Sequence, residues 1–174
     1  MAASLHDYTF GITSDPLTHF ACAFSALIHD VDHQGVSNAQ LVKEETDLAE
    51  HYKGRSVAEQ NSLDISWDLL MGSDFQNLRI LLFPTEAELV RFRQLVVNSV
   101  MSTDIVDKEL KELRNGRWDK AFKKGDTASY EEENATDEVN RKATIVIEHI
   151  IQASDISHTM QHWHVYRKWN QNLF

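Results

Sequence analysis

The sequence predicts an all-α domain, on three observations. Apolar residues recur at helical spacing through most of the chain. No stretch alternates apolar and polar residues as a half-buried strand would. Two prolines and six glycines are all that 174 residues contain, and they fall between the periodic stretches, as helix punctuation should. With 42% hydrophobic and 25% charged residues, the chain can build one core and is too apolar for disorder. Residues 1–174 therefore read as a single domain.

Each segment has its own signals. Asp15 followed by Pro16 reads as an N-cap and the first helical position, where the missing N–H of proline costs little. That opens a helix over 16–34, closed by Gly35. Segment 39–53 runs to Gly54, and segment 56–71 to Gly72. Pro84 precedes Thr85 and Glu88, which have capping-box spacing. They open segment 85–115, in which Leu89, Phe92, Val96 and Val100 repeat on one face and Gly116 is the expected stop. Residues 123–138, "KKGDTASYEEENATDE", are polar and acidic around Gly125 and read as a solvated loop. The sequon at Asn134-Ala135-Thr136 is expected to be fortuitous in a chain without a secretory signal. Segment 137–172 carries Val139, Ala143, Val146, Ile147 and Ile150 at helical spacing.

Composition excludes several functions. One cysteine, Cys22, permits no internal disulfide, suits a reducing compartment and reads as a packing residue. No run approaches the roughly 20 apolar residues of a membrane span. A formal net charge of −10 argues against a nucleic-acid-binding surface. There is neither a glycine-rich phosphate loop nor a nucleophile elbow. Trp163, Tyr166 and Trp169 in "QHWHVYRKW" have the spacing of a core or interface face, with the neighbouring histidines exposed.

The stretch "LIHDVDHQGVSN", residues 27–38, stands apart because His29, Asp30, Asp32 and His33 crowd five positions at the end of an apolar helix. On a continuous helix His29 and His33 would stand one above the other, with Asp30 about 100° around. Imidazole beside carboxylate is a ligand set for zinc that also admits manganese, iron or magnesium. Glu59 shares a stripe with Leu63, Trp67 and Leu70. Asp155 continues the stripe of Ile147 and Ile151, and Thr103 lies seven residues after Val96. All three are expected to face inward. Buried carboxylates without a cation would protonate or destabilise the fold, so one shared metal site is the economical reading.

"HDVDHQGVSN" resembles the metal-binding signature of the class I 3′,5′-cyclic nucleotide phosphodiesterases. "SVAEQN" (56–61), "MSTDI" (101–105), "QASDIS" (152–157) and "YRKWNQNLF" (166–174) resemble further blocks of that family, in family order, from Asp15 to Phe174. The resemblance implies a multi-helix phosphodiesterase catalytic domain, of the His-Asp metal phosphohydrolase type. It makes His29, Asp30 and Asp155 direct ligands of two divalent metals, Zn2+ and Mg2+ (or Mn2+), with Asp30 bridging them. It gives His33, Glu59 and Thr103 the role of orienting metal-bound waters. It further implies hydrolysis of cAMP, cGMP or both to 5′-nucleotides by a metal-bridging hydroxide, with Asp155 catalytic and with Asp30 and Asp155 facing substrate.

The implied location is cytoplasmic, free or as the cytosolic part of a longer membrane-attached chain, without membrane contact from this segment or a nucleic-acid partner. The family's His-Asn-x-x-His motif, carrying the general acid and a further metal ligand, is absent from the 28 residues before His29. His19 is ten residues back, about 15 Å along the same helix, and His6 lacks the spacing. The sequence is thus expected to be a domain truncated at both ends, weak or inactive alone, with incompletely covered apolar surface. The alternative is a non-catalytic metal- or nucleotide-sensing helical module derived from the family. Another His-Asp metal phosphohydrolase is disfavoured by "GVSN", "MSTDI" and "SDIS".

Overall fold

A computed structural model describes residues 15–44, 46–122 and 135–173. Asp15 caps the first helix, α1 (Pro16–Ile28), by accepting from the Leu17 amide at 3.2 Å, with Pro16 at the first position. Burial works to raise the pKa of Asp15. Hydrogen bonds from Thr18 and Arg91 overcome it and hold the carboxyl below its ordinary value. The chain continues through α2 (Asn38–Glu44), α3 (Thr46–His51), α4 (Val57–Met71) and α5 (Gln76–Leu82). It then forms α6 (Glu86–Met101), α7 (Lys108–Phe122), α8 (Ala135–Asp155) and α9 (Trp163–Leu173). Every regular element among the described residues is helical, and none of these helices is long and apolar enough to cross a membrane.

Phe92 on α6 is fully buried and organises the main core. The rings of Phe20, Phe24 and Phe83 lie 5.4, 5.6 and 4.7 Å from it, centroid to centroid. Ala21 and Ile28 from α1, Leu70 from α4, and Val96 and Val100 from α6 complete this cluster. A second cluster joins Ala143, Val146, Ile147 and Ile151 of α8 to Cys22 of α1, so the lone cysteine is the packing residue expected of it. A third joins Leu41 of α2 to Val57 and Ala58 at the start of α4. The capping box at Thr85 and Glu88 is present in both directions.

Several boundaries differ from the sequence reading. α1 stops at Ile28, and the turn after it has Asp32 at φ +59. Segment 39–53 is two short helices, and 85–115 breaks after Met101 at the Ser102–Asp107 turn. Segment 137–172 divides at a 3-10 turn, Ile156–Met160. Gln76–Leu82 is an unforeseen helix, tied to the end of α4 by Arg79, whose Nη1 donates to the Leu70 and Gly72 carbonyls at 2.6 Å each.

Gly116 does not stop a helix but lies within α7. The cost of about 1 kcal/mol for a helical glycine is offset by tertiary anchors on either side. Arg114 donates to the Asp104 carbonyl at 3.1 Å, and Trp118 packs on His149 at 4.4 Å. Of the expected loop 123–138, the last four positions belong to α8 and the rest lies outside the described residues, as do Gly125 and His6. Ile150 is 48% exposed, whereas Ile145, left out of the expected stripe, is buried. The apolar stripe of α8 is therefore rotated from the one read in the sequence. Trp163 and Trp169 are exposed, so α9 presents its aromatic side outward and does not bury it in the chain's own core.

Candidate metal centre

His29 caps the C-terminus of α1, its backbone N–H donating to the Ser25 carbonyl at 3.0 Å. Its Nδ1 lies 2.9 Å from the Ala26 carbonyl oxygen. A carbonyl only accepts, so the proton of the neutral ring sits on Nδ1 and Nε2 carries a lone pair. That Nε2 stands 3.3 Å from Asp30 Oδ2 and 3.4 Å from Asp155 Oδ1. Asp155 ends α8, so two helix ends some 125 residues apart in sequence meet here. The three donor atoms lie within 4.8 Å of one another, with His29 half-buried and both aspartates exposed.

This donor set fits a divalent cation. Donors about 2.0–2.1 Å from one tetrahedral centre stand about 3.3–3.4 Å apart, which is the spacing His29 makes with each carboxylate. One neutral nitrogen and two carboxylates suit zinc and also harder divalent ions. Asp155 does not point into a closed interior as its helical stripe implied. It reaches the solvent-facing end of α8, which is where an ion and a substrate could both gain access.

The other expected site residues do not join this donor group. His33 is not stacked above His29, because the helix has ended and the left-handed residue Asp32 turns the chain. Its Nδ1 accepts from the Gly35 amide at 3.0 Å, which leaves the proton of the neutral ring on Nε2. The turn is clamped from α4, where Ser62 Oγ donates to the Val31 carbonyl at 2.7 Å and Asn61 Nδ2 donates to Asp32 Oδ2 at 3.1 Å. Glu59 does face inward and is half-buried. Burial pushes its carboxyl above the ordinary value. The Asn38 hydrogen bond opposes this, the nearby Asp104 adds to it and His33 opposes it. Thr103 is half-buried, and its hydroxyl donates to the Val100 carbonyl at 2.7 Å, which leaves lone pairs free to accept.

Two residues that the sequence reading passed over hold these pieces in register. Asp104 is 5% exposed and accepts from Ser56 Oγ at 2.7 Å, Asn38 Nδ2 at 3.2 Å, and the Val106 and Asp107 amides at 3.1 and 3.0 Å. Asn38 also donates to Glu59 at 2.9 Å. On the opposite side, Gln152 donates to the Ser102 carbonyl at 2.5 Å, which ties α8 to the same turn one helical turn before Asp155. The only signal for them lay in position. Asn38 closes the "HDVDHQGVSN" block and Asp104 follows Thr103.

The 3′5′-cyclic nucleotide phosphodiesterase family matches residues 1–174. The chain is 29% identical over 153 residues to a probable 3′,5′-cyclic-AMP phosphodiesterase, pde-4, of Caenorhabditis elegans, covering 88% of this chain and 22% of that protein. It is 28% identical over 157 residues to the 3′,5′-cyclic-AMP phosphodiesterase 4C of Rattus norvegicus, covering 88% and 27%. A human dual specificity calcium/calmodulin-dependent 3′,5′-cyclic nucleotide phosphodiesterase 1C is 30% identical over 157 residues, covering 88% and 19%. The chain thus spans roughly a fifth to a quarter of the length of these relatives. Among solved structures, the phosphodiesterase domain of the RhoPDE fusion protein of Salpingoeca rosetta superposes with a TM-score of 0.69 at 20% identity. The match covers 97% of this chain and 51% of that one, a likeness of fold.

Proposed function

Because the chain belongs to the 3′5′-cyclic nucleotide phosphodiesterase family, matched over its whole length, we propose that it serves the hydrolysis of 3′,5′-cyclic nucleotides to 5′-nucleotides. We further propose that His29, Asp30 and Asp155 are its metal-holding residues. The observation that carries this reading is the convergence of one imidazole nitrogen and two carboxylates from distant parts of the chain, within 4.8 Å of one another and with His29 at ligand spacing from each carboxylate. His29, Asp30 and Asp155 would hold divalent ions, and the family resemblance points to zinc together with magnesium or manganese. A bound divalent ion supplies Lewis-acid polarisation of the phosphoryl group and a water acidic enough to attack phosphorus near neutral pH.

The chain's own residues then have distinct tasks. The Ala26 carbonyl fixes the His29 ring so that Nε2 faces the two carboxylates. Asp155, exposed at the end of α8, can accept a proton from the attacking water and hold it in line with the departing 3′ oxygen. The Nε2–H of His33 is a donor, whereas Glu59 and the Thr103 hydroxyl oxygen are acceptors, a complementary set for orienting water. None of the three metal-holding side chains donates a proton to the leaving oxygen. In the family resemblance that task belongs to the His-Asn-x-x-His motif that this sequence lacks. A missing general acid costs about 10²- to 10⁴-fold, so hydrolysis by this chain alone is expected to be slow.

A second reading is a helical module that binds metal or nucleotide without turning it over. Phosphorus NMR of cAMP with the chain and Mn2+ separates the two. Slow, Mn2+-dependent growth of the 5′-monoester signal, lost in Asp155→Ala, supports the hydrolase. Mn2+-dependent broadening of the cyclic phosphate signal beyond that of a chain-free control, without a monoester, supports the module. A cyclic phosphate signal that the chain leaves unchanged sinks both.

A further inference from the structure

Asn38 is the first residue of α2, and its side chain uses nearly all of its bonding capacity on three partners. The two Nδ2 protons go to Glu59 Oε2 at 2.9 Å and Asp104 Oδ2 at 3.2 Å, and Oδ1 accepts the Ala58 amide at 2.9 Å. Two carboxylates therefore share one amide. An aspartate there would repel both, and leucine of the same shape would leave both half-buried or buried groups short of a donor. Asp104 is in turn fixed by Ser56 and by the two backbone amides of the turn after α6. Ser56 has φ +39, a left-handed conformation that a serine adopts only when its surroundings impose it. These four side chains brace the start of α4, and from the same helix Asn61 and Ser62 clamp the turn after His29 at Asp32 and Val31.

We propose that Asn38, backed by Asp104, is a positioning residue that holds the Glu59 carboxylate and the first turn of α4, and through them the turn that flanks the metal centre. The inference rests on the metal reading given above. It assigns Asn38 no contact with metal or substrate. Its effect passes through Glu59, so the two residues should act as one unit and not independently.

Calorimetric titration of the full chain with Mn2+ tests this, using Asn38→Asp, Glu59→Gln and the double variant, with a melting curve for each. Each single variant is expected to weaken Mn2+ binding about tenfold, and the double variant by the same tenfold, not by a hundredfold. The sign is informative, because an added carboxylate alone would tighten a cation. Weakening by Asn38→Asp thus reports the lost donation. Unchanged or tighter binding in Asn38→Asp, or multiplied losses in the double variant, overturns the inference. So does a lower melting temperature accompanied by wild-type affinity, which marks a merely structural role.

Should Asn38→Asp fail to fold, the side-chain amide resonances of Asn38 in the unmutated chain decide the matter. They are expected to shift on Zn2+ addition and to stay fixed in Asp155→Ala, and the absence of a shift in the unmutated chain overturns the proposal. Wild-type binding that survives Asp155→Ala would instead remove the metal reading itself, and this inference with it. Binding lost in Asp155→Ala but kept in Asn38→Asp removes this inference alone.

Discussion

His29 does its work through two nitrogens with separate duties, one spent on the Ala26 carbonyl and one turned to the carboxylates of Asp30 and Asp155. His29→Ala should therefore lose the only nitrogen donor of the group and weaken divalent binding at least about 10²-fold, beyond the usual loss for an outer partner. Equilibrium titration with Zn2+ checks this, and an unchanged affinity would place the ion elsewhere.

Glu148 offers a prediction of the opposite kind. It is 2% exposed, with Arg117 at 3.0 and 3.1 Å. Burial nevertheless outweighs the guanidinium and raises its pKa above 4.5. A raised folded-state pKa contributes stability that is complete below the ordinary value and lost as pH rises through the folded one. Stability should thus increase as pH falls from neutrality toward 4.5. Glu148→Gln should flatten that slope and raise the melting temperature at pH 7 by about 2–4 °C, on the order of 1 kcal/mol for a chain of this size. A lower melting temperature would mean that the ion pair outweighs burial.

The crowding of charge in "HDVDH" was legible at this scale because the residues are consecutive. Asn38 and Asp104 were not, since a polar side chain that serves residues 21 to 66 positions away leaves no local period.

Helix starts were easier to read than helix ends. Asp15 with Pro16, and Thr85 with Glu88, are local chemistry and stand where the sequence placed them. Thr85→Ala should cost about 1 kcal/mol by leaving the first-turn amide without its acceptor, measurable as an earlier thermal transition. The ends depend on tertiary partners. α1 gives way at Ile28 because the following turn is clamped by Ser62 and Asn61 from α4, and no residue within α1 announces that. Gly116 misled for the same reason, since Arg114 and Trp118 hold α7 together around it. A Cβ there meets nothing within 4 Å. Gly116→Ala should therefore stabilise the chain by about 0.5–1 kcal/mol, and a lower melting temperature would contradict a helical Gly116.

Across the whole molecule, three apolar clusters hold the helices so that the C-terminal end of α8 meets that of α1. The class of fold was legible because the longer apolar segments repeat at helical spacing and none alternates as a strand would. The meeting of His29 with Asp155 was legible in the chemical need of charged groups on apolar stripes for a common partner, and in the family resemblance, which makes both ligands of the same metals. Leu27, Leu81, Met160, Trp163 and Trp169 remain more than half exposed, a large apolar load for an isolated chain. The folded chain should therefore bind the dye ANS, and Trp163→Gln with Trp169→Gln should reduce that signal without lowering the melting temperature. A melting temperature that falls would mean that these rings pack within the fold.

The central claim is that His29, Asp30 and Asp155 form one divalent-metal centre, and its most direct test is an anomalous difference map from crystals grown with Zn2+ and recorded at the zinc absorption edge. A peak is expected about 2.0–2.2 Å from His29 Nε2 and from carboxylate oxygens of both aspartates. A map in which zinc binds elsewhere, with these three side chains pairing only with one another, would contradict it.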